Sequence, residues 1–150
     1  MSLREKSAWI CLATTVVVFV PYFTYVFVLF ARHDHAIGSY VGAFAAAVFW
    51  QIILNVGAQI FVNVRGGKEP KDERDVVIEA KAYRNAYIVL VSLAWTVPFI
   101  SVPVSAALGQ RGTPLLMGQL LLLSQLLLLS FIVAEAAKYL TQVVCYRRGI

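Results

Sequence analysis

One long polar run, residues 68–87, interrupts a chain that is otherwise strongly apolar. The run holds ten of the chain's 21 charged residues, counting the 13 Lys and Arg together with the 8 Asp and Glu. A charged side chain at the centre of a bilayer costs roughly 3 kcal/mol or more. The run is therefore predicted to lie in water, between two membrane-embedded halves of the chain.

The apolar sequence falls into four stretches, each long enough to cross a bilayer as a helix of about 20 residues. Of the 150 residues, 60% are hydrophobic and 14% are charged, which is typical of an integral membrane protein. We therefore predict an all-α fold, a polytopic membrane protein with a single four-transmembrane-helix bundle. The predicted spans cover about residues 7–31, 39–64, 86–108 and 115–144, and a cytoplasmic segment, residues 65–85, joins the second span to the third.

The positions of Lys and Arg predict the orientation, because cytoplasmic loops are enriched in both residues. Eleven of the 13 cations lie on one side of the predicted spans, and Arg32 and Arg111 lie on the other. Both termini are therefore predicted to be cytoplasmic, in a multi-pass protein of the cell inner membrane. The net charge of +5 comes from short clusters at span ends, which favours the lipid bilayer over nucleic acid as the partner of these cations.

The two halves of the chain show a weak internal repeat. Residues 20–23 (VPYF) resemble residues 97–100 (VPFI), and residues 59–66 resemble residues 142–149, with Arg-Gly at the end of both. A tandem repeat of two helical hairpins predicts a pseudo-twofold axis along the membrane normal. The alternative is that two apolar hairpins share such features through composition alone.

The polar run contains a motif, DERD at residues 72–75, shortly before the third predicted span. It is followed by Ile78, Lys81, Ala82, Tyr83, Arg84, Ala86 and Tyr87. This pattern resembles a family of small bacterial and archaeal four-span membrane proteins, described as uncharacterised, which carry a DER(D/E) motif before the third span and a short basic tail after the fourth. Residues 146–149 (YRRG) match that tail. The resemblance implies the four-span fold and no particular activity.

The same segment is predicted to begin a helix, with Asp72 as the N-cap and Glu73 and Asp75 placing negative charge in the first turn. One interpretation is an amphipathic docking helix on the cytoplasmic face, which binds a protein partner or lipid headgroups. The other is a solvated extension of the third span whose charges only set the topology. The predicted partner-binding residues are Asp72, Glu73, Arg74, Asp75, Arg84, Arg147 and Arg148.

Polar residues recur every four positions along the second span and therefore share one helix face. They are Gln51, Asn55, Gln59 and Asn63. We predict that this face packs against the fourth span, because amide side chains are costly against hydrocarbon. The polar side chains predicted to meet it are Ser124, Gln125 and Ser130.

Two ionisable residues, Glu135 and Lys138, lie one helical turn apart near the end of the fourth span. Ionisable residues within a span often serve an ion or substrate pathway, whereas at the membrane interface they are tolerated for structural reasons. On the first interpretation they line an inward-facing cavity with the polar face of the second span. The predicted cavity residues are Gln51, Asn55, Gln59, Glu135 and Lys138.

The sequence His33-Asp34-His35 places three potential metal ligands in the first outer turn, and the chain has no other histidine. The turn is interpreted either as a weak metal or pH-sensitive site or as a solvated polar turn, because a tight site needs further ligands. No metal or other cofactor is predicted. Cys11 and Cys145 are predicted to be small packing residues.

The sequence contains no P-loop, G-x-S-x-G, H-E-x-x-H or dinucleotide-binding motif, so we predict that the protein is not an enzyme. The leading hypothesis is a regulatory, immunity-type or accessory subunit that binds another protein through its cytoplasmic face. The alternative is a small transporter or channel with a polar inward-facing cavity. A homodimer would then supply enough helices for a path.

The predicted topology is testable by cysteine labelling of intact cells with a membrane-impermeant reagent. Cysteines introduced at Asp34 or Gly112 are expected to react from outside, because the charge bias places both turns there. Cysteines at Lys71 or Gly149 are expected to react only after the membrane is opened. The reverse pattern would overturn the charge argument.

Overall fold

Four α-helices make up nearly all of the residues that the computed structural model describes, which are 3–32, 37–66, 72–107 and 115–148. The helices are α1 (Leu3–Ala31), α2 (Ile37–Gly66), α3 (Glu73–Ala107) and α4 (Leu115–Arg148). The all-α prediction is confirmed. The turn at His33–His35 and the side chain of Asn63 lie outside the described residues, so the predictions made for them are unchanged.

The polar segment and the third predicted span belong to one helix. α3 begins in the polar segment at Glu73 and continues into the apolar sequence as far as Ala107, through Pro98 and Pro103. Proline commonly bends or breaks a helix, but α3 continues past both of them. The segment is therefore an extension of α3 rather than a separate docking helix.

The helices pack side by side in the order α2, α1, α4, α3, so α1 and α4 occupy the middle. α1 and α2 form one antiparallel hairpin, α3 and α4 form the other, and α1 packs against α4 to join them. In the part of the chain that the structure describes, the backbone of α2 does not approach α3 or α4. The four helices are therefore packed as an open row, with α2 at one edge.

The apolar core surrounds the half of α1 that leads to the α1–α2 turn. Its members are Phe19, Tyr22, Phe23, Val26, Leu29 and Phe30 of α1, Tyr40 and Ala47 of α2, and Leu122 of α4. Aromatic contacts run through it, such as the edge-to-face pair of Tyr22 and Phe23, whose ring centroids lie 5.0 Å apart. Such a pair contributes about 0.5–1.5 kcal/mol beyond its burial. This half of α1 therefore holds both α2 and α4.

Long apolar helices with outward-facing apolar side chains indicate a membrane protein. Within the described residues, three helices contain a stretch long and apolar enough to cross a membrane, and the stretches are Glu5–Ala31, Ile37–Val62 and Gln119–Arg148. In α2 only 6% of the most apolar window is buried inside the protein. Exposure of so large an apolar surface to water is unfavourable, whereas lipid tails can cover it. α3 is not among the three, and its predicted span ends at residue 108, outside the described residues.

The packing does not reproduce the pseudo-twofold axis of a tandem repeat. Such an axis would exchange α1 with α3 and α2 with α4, so the α1–α4 contact would require an α2–α3 contact. The described parts of α2 and α3 make none. Matched positions also differ, since Tyr22 is 5% exposed and its counterpart Phe99 is 78% exposed. The repeat therefore remains a prediction from sequence alone.

The polar face of α2 packs on α1, and the prediction that it faces the fourth span is wrong. The Thr14 hydroxyl donates a hydrogen bond of 2.8 Å to Asn55 Oδ1, and Gln51 Nε2 donates one of 3.2 Å to the Thr15 hydroxyl. Thr15 accepts this bond because its own proton goes to the carbonyl oxygen of Cys11, 2.8 Å away. The register of the α1–α2 hairpin explains this pairing. Thr14 and Asn55 lie almost the same number of residues from the segment that joins the two helices, so they reach the same depth.

The polar residues of α4 have other partners. Gln125 Oε1 accepts a hydrogen bond of 2.7 Å from the Tyr22 hydroxyl of α1. The hydroxyls of Ser124 and Ser130 donate to carbonyl oxygens of their own helix, at 2.7 and 2.6 Å. These residues do not meet the polar face of α2, because α1 lies between the two helices.

The contact of α2 with α1 is testable by a double-mutant cycle of Thr14→Val and Asn55→Leu. We expect a coupling free energy of about 0.6–1.7 kcal/mol, the range for interhelical hydrogen bonds in membranes. The measurement is the free energy of unfolding in mixed micelles. The cycle of Asn55→Leu with Ser130→Ala is the control, which we expect to be additive within about 0.5 kcal/mol. Additivity of the first pair would contradict the hydrogen bond.

Candidate functional site at the charged end

Charged side chains gather at one end of the structure, which we call the charged end. It comprises the beginning of α1, the beginning of α3 and the end of α4, at residues 5–11, 72–85 and 135–148. These parts meet because α3 is antiparallel to α4 and α1 packs against α4. All the predicted partner-binding residues lie at this end, together with Glu135 and Lys138.

α3 begins with a reciprocal cap between two aspartates. Asp72 Oδ1 accepts a hydrogen bond of 2.7 Å from the Glu73 backbone N–H, and Asp75 Oδ2 accepts one of 3.1 Å from the Asp72 backbone N–H. The helix starts at Glu73, so the predicted N-cap at Asp72 is confirmed. Caps of this kind contribute about 1 kcal/mol to helix stability.

Asp75 also joins α3 to α4. Its Oδ1 accepts a hydrogen bond of 3.0 Å from the Tyr146 hydroxyl. Ile78 and Ala82 follow on the same side of α3 and are fully covered. Asp75 was predicted to bind a partner, but its carboxylate is held within the protein, where it fixes the inner face of α3 against α4.

Glu5 joins α1 to α4, and sequence reasoning missed it. Glu5 is only 6% exposed, and its Oε1 lies 3.3 Å from Arg147 Nε. The guanidinium of Arg147 also lies 5.4 Å from the centroid of the Trp9 ring. The sequence signal was an acidic residue between Arg4 and Lys6, at the predicted depth of the basic tail. Arg147, predicted to bind a partner, is thus engaged with α1.

The three helices leave a pocket of about 160 Å³ between them. Its lining consists of Ser7, Ala8 and Cys11 of α1, Asp75 and Glu79 of α3, and Tyr139, Gln142 and Tyr146 of α4. Two carboxylates make the lining acidic. Among the described residues, no group of three His, Cys, Asp or Glu side chains is placed to hold a metal ion. Cys11 and Cys145 are buried and not disulfide-bonded, in agreement with a packing role.

Glu135 and Lys138 interact with each other and with two tyrosine rings. Lys138 Nζ lies 3.9 Å from Glu135 Oε1, 4.4 Å from the centroid of the Tyr139 ring and 5.2 Å from that of the Tyr83 ring. The Tyr139 hydroxyl donates a hydrogen bond of 3.3 Å to Glu135 Oε1. Lys138 thereby links α4 to Tyr83 of α3 through cation–π contacts, which is a structural role.

The predicted cavity residues are not brought together. Gln51 and Asn55 face α1, and Gln59 is exposed further along α2. Glu135 and Lys138 lie in α4, on the other side of α1. The described residues therefore form no polar cavity shared by α2 and α4.

The outward side of α3 is uncovered at the charged end. We call it the α3 outer face and define it by Glu73, Arg74, Val76, Val77, Tyr83 and Arg84, all of them exposed. Val77 is 65% exposed although it lies in a segment rich in charge. Apolar side chains surrounded by charges of both signs are typical of protein–protein interfaces.

No protein-family model matches the chain, and neither the curated proteins nor the solved structures contain a match. The resemblance of the DERD motif to small four-span membrane proteins therefore remains a prediction.

The Glu5–Arg147 contact is testable by comparing two neighbouring arginines in detergent at low salt. Arg147→Ala is expected to lower the free energy of unfolding by about 1 kcal/mol, because it removes a partly screened ion pair and a cation–π contact. Arg148→Ala removes the same charge and is expected to change stability by less than about 0.5 kcal/mol. Equal losses from the two variants would show that the Glu5 contact contributes nothing.

Proposed function

We propose that the protein is a non-enzymatic subunit in a cell membrane, with both termini in the cytoplasm, that binds another protein through the α3 outer face. It would act as a regulatory, immunity-type or accessory subunit. The observation that carries this proposal is the exposure of Val76, Val77 and Tyr83 among charged residues at the start of α3.

The position of the α3 outer face along the helix argues against lipid as its cover. Val76 precedes the apolar part of α3, which begins at Ala86, by roughly 15 Å of helix. Glu73, Arg74 and Arg84 flank it, and hydrocarbon would penalise each of these charges. The exposed valines therefore face water in the isolated chain, and binding of a protein partner would bury them.

The inner side of α3 supports the proposal because it holds the outer face in place. The Asp72 cap fixes the helix start, the Asp75–Tyr146 hydrogen bond ties it to α4, and Ile78 is fully packed. A preorganised surface loses little conformational freedom when it binds. The α3 outer face is therefore suited to a partner that presents an apolar side chain and a carboxylate for Arg74 or Arg84.

Placement of both termini in the cytoplasm is supported by two independent observations. The beginning of α1 and the end of α4 contact each other through Glu5 and Arg147, so both helix ends lie on one side of the membrane. Eleven of the 13 Lys and Arg residues belong to that side by sequence. Such an excess is typical of a cytoplasmic surface.

The arrangement that motivated the transporter or channel hypothesis is not found in the described residues. That hypothesis required the polar face of α2 and the pair Glu135 and Lys138 to line one path. In the described chain α1 separates them, and Gln51 and Asn55 make hydrogen bonds to α1. We therefore do not retain it.

The proposal is testable by site-specific photocrosslinking in native membranes. A photoreactive residue at Val77 is expected to give one discrete crosslink to another protein, whereas the same residue at Phe49, an exposed position of α2, is expected to give lipid adducts. The double charge reversal of Arg74→Glu and Arg84→Glu is expected to lower the Val77 crosslink at least about tenfold, because like charges at an interface are strongly unfavourable.

The control is the reversal Lys6→Glu, which alters an exposed cation of the charged end outside the α3 outer face and should leave the crosslink intact. Membrane insertion of each variant is verified by the labelling assay described above. A Val77 crosslink unchanged by the double reversal in a correctly inserted protein would refute the proposal. A product of twice the chain's own mass would show instead that this face binds a second copy.

A further inference from the structure

A second groove lies on the side of the charged end where α3 and α4 meet, and it has a volume of about 310 Å³. Its lining consists of Lys81 and Asn85 of α3, and Leu140, Thr141, Val144, Cys145 and Arg148 of α4. None of these residues lines the acidic pocket between α1, α3 and α4. The groove is therefore a separate feature, and its lining carries two cations and no carboxylate.

The two cations of the groove are available for a ligand. Lys81 and Arg148 are exposed, and neither has an ion pair or hydrogen bond to another residue that the structure describes. Lys138 and Arg147, by contrast, are each held by a carboxylate. Two uncompensated cations on one groove attract an anion, and the planar fork of arginine suits the oxygens of a phosphate.

The groove has its two cations toward the charged end and Leu140 toward the apolar part of α4, and Val144 lies between Thr141 and Arg148. Asn85 Nδ2 lies 3.5 Å from the Thr141 hydroxyl, which aligns α3 with α4. Lys81 lies one helical turn from Asn85 toward the charged end, and Arg148 lies about two turns beyond Thr141. The exposed side chain of Leu140 lies in the opposite direction, toward the apolar part of α4.

We propose that this groove binds one anionic phospholipid. Lys81 and Arg148 bind the headgroup phosphate, Asn85 donates a hydrogen bond to an ester oxygen below it, and the acyl chains run along Leu140 toward the apolar part of α4. The order of cation, neutral donor and apolar side chain follows the order of phosphate, ester and acyl chain in the lipid.

The apolar part of the groove favours a lipid over a soluble anion. Inorganic phosphate would engage Lys81 and Arg148 but leave Leu140 uncovered. Leu140 is exposed and lies on α4, one of the three described helices apolar enough to cross a membrane. The contact between Asn85 and Thr141 is long for a hydrogen bond, so the Asn85 amide can turn to a lipid oxygen at little cost. The Thr141 hydroxyl keeps its own hydrogen bond of 2.8 Å to the carbonyl oxygen of Ala137.

The test uses the full chain in nonionic detergent and native mass spectrometry, with phosphatidylglycerol as the probe and phosphatidylcholine as the zwitterionic comparison. Phosphatidylglycerol is expected to bind more tightly. The double variant Lys81→Gln with Arg148→Gln is expected to weaken its binding about 30-fold, taking about fivefold for each cation near an anionic lipid. Each single variant is expected to lose about fivefold.

The matched control is Lys6→Gln with Arg74→Gln, which removes two exposed cations from the same end and is expected to change affinity less than about threefold. The charge-preserving exchange of Lys81→Arg with Arg148→Lys is expected to keep binding and shows that the groove tolerates substitution. Helicity and a monodisperse elution profile identify folded variants. Equal binding of the two lipids, displacement of phosphatidylglycerol by an equal concentration of inorganic phosphate, or equal losses in the two double variants would each overturn the proposal.

Discussion

The packing of α1 against α4 is the interaction on which the rest of the structure depends, because it alone joins the two hairpins in the described part of the chain. Polar contacts hold this pair of helices at two depths. Tyr22 donates to Gln125 within the apolar core, and Glu5 binds Arg147 at the charged end. The two contacts are separated along α1 by roughly 25 Å, which is close to the thickness of the hydrocarbon layer. One polar contact thus lies within the aromatic core, and the other lies at the charged end, beyond the core.

The position of α2 follows from the same arrangement. α2 packs on α1 through Tyr40, Ala47 and two threonine hydrogen bonds, and most of its apolar surface faces outward. An element with so few buried contacts opens more readily than one packed on two neighbours. One buried acceptor of this seam, Gln51 Oε1, has no hydrogen-bond partner among the described residues.

The sequence was sufficient to predict the features that depend on local chemistry. Apolar length predicted four helices, and the Asp72 cap predicted the start of α3 at Glu73. Periodicity also identified the polar face of α2, since Gln51 and Asn55 both make interhelical hydrogen bonds. It did not identify the neighbour of that face, because a helical period specifies a direction and not what lies there. A single threonine hydroxyl in an apolar run also gives little signal, so Thr14 and Thr15 were overlooked.

The candidate site was predicted in the same uneven way. The charge pattern of the sequence predicted its location at the DERD motif. Which of its residues are used in contacts within the protein depends on how three helices pack together. Asp75 accepts a hydrogen bond from Tyr146, and Arg147 pairs with Glu5. No local sequence pattern specifies either contact. The order of the helices also decided against the shared cavity, because α1 stands between the two groups that were expected to line it.

The unbroken course of α3 has a mechanical consequence. The helix has 35 residues and is roughly 50 Å long, so it behaves as a stiff rod that starts in the charged segment and reaches deep into the apolar sequence. Its packing partner in the described structure is α4. A tilt imposed near Val77 would therefore be passed along the same helix to its apolar part and across the seam to α4.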